Sequence, residues 1–598
     1  NSFCTLLIVT PRPLNMALPD VPLPSRVADR KYYLPAFDLV ATVPSQEQAE
    51  ALECGMLSLL QYRGNPVAGF DAASGCPEGG DPFEYGSQCP VALATRLQLF
   101  ASVALGNPSA DPDALTKVGA EAGLEAWETA YVAAAALFLR HDFEGCVAAC
   151  RVNLQRTPLD VFSVRLLLIA GYFGEDMESL CDGFGAIVGD YEAAIAAQAA
   201  AGGAPKHALH LALPSLTAWA AFGLEETRRD VERAEALARR AIDLTHALNK
   251  RYFPSGNPDT DAPSRRGALA AVSKTHGFLC VFGVHVVVHC FETRGDPAGG
   301  LAYLKAEDPA LWQPSAHLAG HVWWHYALFE LECGDVTGAL ATYEARLGDP
   351  VVGDPFALSD AAALVVRVWQ WASWFRAVGG TGGPVAASAP WAALSPADEK
   401  AAAQALLQLD EHWSTHGDEK FADFPFFVAH KHLVRAAAST VAGEHLDRFA
   451  VWPATTRLSL KRSSDVSAVT NGPARRHELI RRLKSGSVAV REARGDKKAG
   501  LAAVTSALEA WLAVADALAP AKPPSPATRV VAACAPMGGS VAQQGLLSVG
   551  LLMLWLASDD RAEAFFALKA LAVQQPKAPL IQAMLAAASA ASSGGSRL

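Results

Sequence analysis

Across much of the chain from Gln48 to Phe449, apolar residues recur every three or four positions, in segments closed by short polar or Gly-containing turns. That spacing gathers the apolar side chains on one helical face. The first such segment, Gln48 to Tyr62, has Ser45 just upstream as its N-cap. Runs alternating polar with β-branched residues, the mark of half-buried strands, are missing. The pattern predicts an all-α protein.

The helices fall into pairs joined by a turn with Gly or Asp. Tyr131 to Leu154 turns at HDFEG, Thr217 to Leu244 at a polar turn ending in Asp230, His285 to Leu304 at Arg294, Gly295 and Asp296, and His317 to Leu347 at Cys333, Gly334 and Asp335. The last two turns lie about 39 residues apart, close to the period of a tetratricopeptide unit with a longer helix. Ala234, Ala238 and Ala241 let the second helix of a pair approach its neighbour closely, while Leu237 and Ile242 fill the groove. One pair cannot bury both faces, so neighbours stack, and the expected architecture is an α-solenoid (α/α superhelix) of tetratricopeptide-like helix-turn-helix pairs.

Breaks in the pattern suggest the organisation. Residues 1–45 read as an extended N-terminal lead-in rich in Pro, and residues 46–450 as the repeat array with a Gly/Pro/Ala-rich loop inserted at 378–396. Residues 451–498 read as a basic insertion with a surface helix (His477 to Ala493), and 499–598 as a helical segment continuing the array. The chain opens at Asn1 rather than Met, and Asn1 to Thr10 lacks the basic region of a presequence.

Composition narrows the function classes. With 51% hydrophobic and 19% charged residues over 598 positions, the chain is a folding sequence rather than a disordered one. A net charge of -11 speaks against nucleic acid, whose phosphates are bound by Lys and Arg. The contrast is Arg457 to Lys498, with 12 Lys or Arg against 4 Asp or Glu. It has no Phe, Tyr or Trp for base stacking, and a solvated insertion is the simpler reading beside a docking face. The longest apolar runs, Gly277 to Val288 and Gly545 to Ala557, are too short to span a bilayer. The 11 scattered cysteines show no disulfide framework and read as free thiols, with Cys76 and Cys89 the one pair placed to staple a loop.

The segment HLAGHVWWHYALFELECGDVTGALATYEARL, His317 to Leu347, resembles the signature of the tetratricopeptide repeat protein 38 family. His285, His289 and Glu292 resemble that family's preceding helix, with Phe291 where a further His is usual. Asp360 and Arg367 resemble an Asp and an Arg at the same separation, and His432 fits a later His loosely. Gly538, Gly539, Ser540, Ala542 and Gln543 match a stretch near the C-terminus, where Val541, Gln544 and Gly545 depart from it. The resemblance runs with gaps from Pro90 to Leu585. It implies an α-solenoid and a soluble, cytoplasmic protein, and it names no activity.

The sharpest chemistry is two HxxxH pairs, His285 with His289 and His321 with His325, each pointing from one helical face, with His317 extending the second row. Were the two helices neighbours, the imidazoles would converge in a set suited to Zn, Cu, Fe or Ni, with Asp360 orienting a ring or supplying an oxygen. Against a metal stand the absent HExxH and E-x-x-H arrangements and the tight packing implied by Trp323 and Trp324. Hydrogen-bonded core histidines lead, ahead of a ligand-facing polar cluster and a metal site. Phosphate-loop, nucleophile-elbow and paired C-x-x-C templates all fail. Cys146 and Cys150 read as core, and Ser540 as a helix cap. The favoured reading is a non-enzymatic scaffold that receives a protein or peptide on its concave face or serves as a subunit of an assembly, with no nucleic acid, no membrane span and no assigned cofactor. The alternative is a metal-dependent or small-molecule-binding enzyme centred on His285, His289, His321, His325 and Asp360.

Overall fold

The computed structural model describes residues 22–64, 66–77, 88–103, 111–121, 123–173, 177–201, 207–227, 230–253, 277–315, 318–348, 355–382, 390–391, 394–415 and 561–593, with scattered positions at 83 and within 427–438 and 545–553. His317, His432, the Arg457 to Lys498 segment with its surface helix, and the Gly538 to Gln543 stretch lie outside them. The described residues are mostly helical.

The one departure from helix corrects the lead-in. Residues 22–45 do not run extended and unpaired: β1 (Ser25–Ala28), β2 (Lys31–Leu34) and β3 (Leu39–Thr42) form an antiparallel sheet in the order β1-β2-β3. Strands of four residues carry too few alternations to register as a period. The sheet is tied to the helices by buried carboxylates. Glu53 of α1 (Gln46–Leu60) accepts from the Ala36 amide at 2.7 Å, and Glu128 of α5 (Ala126–Leu139) accepts from the Thr42 amide and hydroxyl at 2.8 and 2.6 Å. Ser45 caps α1 as expected, accepting from the Gln48 amide.

After α2 (Pro66–Ser74), α3 (Pro90–Val103) and α4 (Pro112–Glu121), the four expected pairs follow, with one further pair, Val161–Phe173 with Met177–Ala200, among them. These are α5 with α6 (Phe143–Arg156), α7 (Val161–Phe173) with α8 (Met177–Ala200), α9 (His207–Glu226) with α10 (Val231–Tyr252), α11 (Val281–Thr293) with α12 (Pro297–Ala306), and α13 (Ala319–Glu332) with α14 (Val336–Tyr343). Next come α15 (Pro355–Gly382) and α16 (Pro396–Ser414), and last α17 (Arg561–Gln574) and α18 (Pro579–Ser593). Four of the pair turns share one device. Asp142, Asp230, Asp296 and Asp335 cap the second helix, each accepting from the amide three residues on. Just before two of these caps, Gly295 and Gly334 take positive φ values of 62° and 89°, where a side chain would be strained.

Packing also links alternate helices: α9 with α11, α11 with α13, and α13 with α15. The first helices of successive pairs thus form a row, and every residue of the candidate site lies on that row. Ala234, Ala238 and Ala241 of α10 are fully buried, as their spacing predicted. Two apolar cores meet at α13, which gives Val322 and Phe329 to the first and Trp324, Ala327, Leu328 and Leu331 to the second.

The inserted loop at 378–396 needs correcting at both ends. Residues 378–382 continue α15, and Trp391 is buried with its indole N–H donating to the Leu331 carbonyl at 2.6 Å. The Gly-rich composition masked a helix end and a buried aromatic anchor. Cys89 is a free thiol, so it forms no staple with Cys76, and Cys146 and Cys150 are free and fully buried. No described helix is long and apolar enough to cross a membrane.

Candidate metal centre

The two HxxxH pairs do converge. His285 and His289 sit one turn apart on α11, His321 and His325 one turn apart on α13, and the ligand atoms of all four imidazoles lie within 4.8 Å of one another. Ring centroids are 4.1 Å apart for His285 and His289, 4.6 Å for His321 and His325, and 4.8 Å across the helices for both His285 with His321 and His289 with His325. Three of the four are nearly or fully buried, and His321 is the most open.

Each of three histidines turns Nδ1 to a carboxylate on an adjacent helix of the row. His289 meets Glu225 of α9 at 2.8 Å, His325 meets Glu292 of α11 at 2.5 Å, and His321 meets Asp360 of α15 at 2.6 Å. A carboxylate on Nδ1 fixes the ring and frees Nε2, as in metal-bound histidines. The Nε2 atoms of His321 and His325 face each other at 3.1 Å. His289 Nε2 is buried and has no partner among the described residues, and neither ring nitrogen of His285 has one. The expected hydrogen-bonded core histidines are therefore present in part. Three rings are anchored by one nitrogen, and the fourth makes no hydrogen bond among the described residues.

The charges around the cluster favour a cation. Glu225, Glu226, Glu292 and Asp360 lie against its histidines, with Glu332 acting on Glu292 and on the buried Arg367. Burial and the neighbouring His289 and His321 push His285 well below the ordinary imidazole value, which favours its neutral form. His325 is lowered by burial and by the other three rings, while burial raises Glu292. Burial also opposes charge on His289, but the Glu225 carboxylate overcomes it and raises the ring to about 9. Arg367 is lowered to about 10 by burial and lies over Trp324, which stacks on His321 at 5.1 Å.

All five residues singled out in the sequence, His285, His289, His321, His325 and Asp360, thus belong to one constellation. Glu225 was missed as a site residue, although it carries a legible signal. It falls three, four and seven positions after the buried Phe222, Ala221 and Ala218, so an acid occupies the core face of an apolar helix. Phe291, where the family resemblance expects a further His, packs on Tyr303 of α12. No protein-family model matches the chain.

Proposed function

We propose that this chain is a metal-binding helical protein whose centre is made by His285, His289, His321 and His325, oriented by Glu225, Glu292 and Asp360. The observation that carries the reading is His285: a buried imidazole with both nitrogens unpartnered, set among three imidazoles. An unsatisfied buried polar atom costs about 1–3 kcal/mol, and a bound cation removes that cost. Metal–nitrogen bonds of about 2.0–2.1 Å put tetrahedral ligands roughly 3.3 Å apart. His321 and His325 already stand near that separation, and the ligand atoms of all four rings lie within 4.8 Å of one another. Imidazole ligation selects a first-row transition ion such as Zn²⁺, Fe²⁺, Cu²⁺ or Ni²⁺ over Mg²⁺ or Ca²⁺. With hydrolytic and redox ions both accommodated, the centre is assigned to metal-dependent chemistry without a named reaction. Elemental analysis of purified protein should find one such ion per chain, lost in His321→Ala and His285→Ala proteins that remain folded. Wild-type protein that stays metal-free after incubation with each ion would refute the reading.

The scaffold reading is supported by the pairing itself. Capped helix pairs whose first helices form a row suit a tetratricopeptide-like solenoid, and the resemblance to the tetratricopeptide repeat protein 38 family points the same way. On that reading the row lines the concave face, so a partner docking there would cover the metal centre. Free thiols accord with a cytoplasmic setting. Cross-linking followed by identification of a stoichiometric partner tests it, and a chain that remains a monomer with no partner would count against it.

A further inference from the structure

Helix α17 turns large apolar side chains to solvent. Phe566 and Val573 are 63% and 81% exposed, the highest values for large apolar residues among those described. They stand seven positions apart with Ala570 between them, at i, i+4 and i+7, so all three share one face along about 10 Å of helix. On the other side, Ala567 and Leu568 are fully buried, and α17 packs on α18. The sequence thus gives α17 two apolar faces, and the described fold covers one. Singly exposed apolar residues are ordinary, whereas a stripe at helical spacing marks a surface for another helix.

The charge beside the stripe selects the partner. Lys569, three positions after Phe566 and four before Val573, is exposed and lays its ammonium over the Phe565 ring at 4.5 Å, to one side of the stripe. It pairs with no carboxylate among the described residues. A chain of net charge -11 therefore sets an unneutralised cation at the rim of its most exposed apolar stripe. A second copy fits this poorly. Two α17 helices docked antiparallel on their stripes would cross near Ala570, with both Lys569 ammoniums on the same side of the crossing, and like charges so placed repel. A helix that seats an apolar knob over Ala570, between Phe566 and Val573, and sets Asp or Glu against Lys569 answers both features.

The face is also preformed. Past the end of α17, Lys577 pairs with Asp296 at 2.6 Å, and the Gln575 amide donates to the Glu292 and Thr293 carbonyls at 3.5 Å. These contacts fix the α17–α18 turn to the α11–α12 turn, and a face held in place loses little freedom when it is bound. We infer that Phe566, Ala570 and Val573 of α17 dock an amphipathic helix of another protein, apolar stripe on apolar stripe, with an acidic residue of that helix against Lys569. The inference stands apart from the metal centre.

The test is fluorescence anisotropy on the full chain with two labelled, Ala-rich helical peptides as probes. Both carry Leu at every third or fourth position, and they differ only in having Glu or Lys beside the Leu stripe. The Glu peptide should bind, and the Lys peptide should bind more weakly by about fivefold or more at low salt. Phe566→Ser and Val573→Ser alter side chains too exposed to support the fold, and each should weaken the Glu peptide by about tenfold while leaving the circular dichroism unchanged. Lys569→Glu should invert the preference between the two peptides. No binding of the Glu peptide at millimolar concentration, equal binding of both peptides, or wild-type affinity in both serine variants would overturn the inference. A concentration-dependent dimer in sedimentation that Phe566→Ser abolishes would also overturn it, because the face would then belong to a second copy.

Discussion

His321 and His325 stand one turn apart on α13 with their Nε2 atoms 3.1 Å apart, while their Nδ1 atoms point to carboxylates on opposite sides, Asp360 of α15 and Glu292 of α11. Two ring nitrogens at that distance share a hydrogen or a metal ion between them, since two facing lone pairs would repel. The same pairings stitch three consecutive helices of the row, so the geometry that readies the nitrogens also fixes the packing of the helices that carry them.

His285 separates stability from function. His285→Leu replaces an unpartnered polar ring with an apolar side chain in an interior lined by Phe222 and Phe282. The metal-free variant should be more stable than metal-free wild type by about 1–2 kcal/mol, read by urea denaturation, while its metal affinity falls. A variant that is less stable and binds metal equally well would make His285 a packing residue.

The carboxylates should tune the centre without being ligands. Asp360→Asn and Glu225→Gln keep the side-chain shape and an acceptor oxygen but weaken the hold on Nδ1 of His321 and His289. Metal affinity should drop by about 10- to 100-fold in each, measured by competition with a chelating dye. Unchanged affinity in both would show that these pairs serve the packing alone.

Away from the centre, Glu53 gives a pH signature. Burial raises its carboxyl from about 4.5 to about 8, and its Oε2 has no partner among the described residues. A raised folded-state value means that its contribution is fully present below about pH 4.5 and is lost as pH rises through about 8. Across that window wild type should lose of order 3–5 kcal/mol relative to Glu53→Gln, at about 1.36 kcal/mol per pH unit. Parallel stability curves for the two proteins would contradict this.

The pair turns can be probed at Gly334. Its φ is 89°, and an added Cβ would lie 2.6 Å from the Pro390 side chain. Gly334→Ala should cost about 1–3 kcal/mol in thermal unfolding. A neutral effect would show that the turn relaxes freely.

The helical face of the protein was legible because periodicity over a dozen residues is a strong signal, and Asp142, Asp230, Asp296 and Asp335 announced where second helices begin. The HxxxH spacing gave the two histidine rows, but only tertiary packing could show that α11 and α13 set them face to face. The sheet of Ser25 to Thr42 was hidden by the shortness of its strands, and Trp391 by the Gly-rich sequence around it. The partners of the histidines lie up to 64 residues away in sequence, as Glu225 does from His289, and no local spacing connects them.

X-ray absorption at the metal edge, on protein loaded with its preferred ion, probes the centre most directly. Four nitrogen ligands at about 2.0–2.1 Å with imidazole outer-shell scattering is the expected spectrum, collapsing in the His285→Leu and His321→Ala proteins. An absorber bound by oxygen alone, or a spectrum indifferent to both substitutions, would contradict a centre built from His285, His289, His321 and His325.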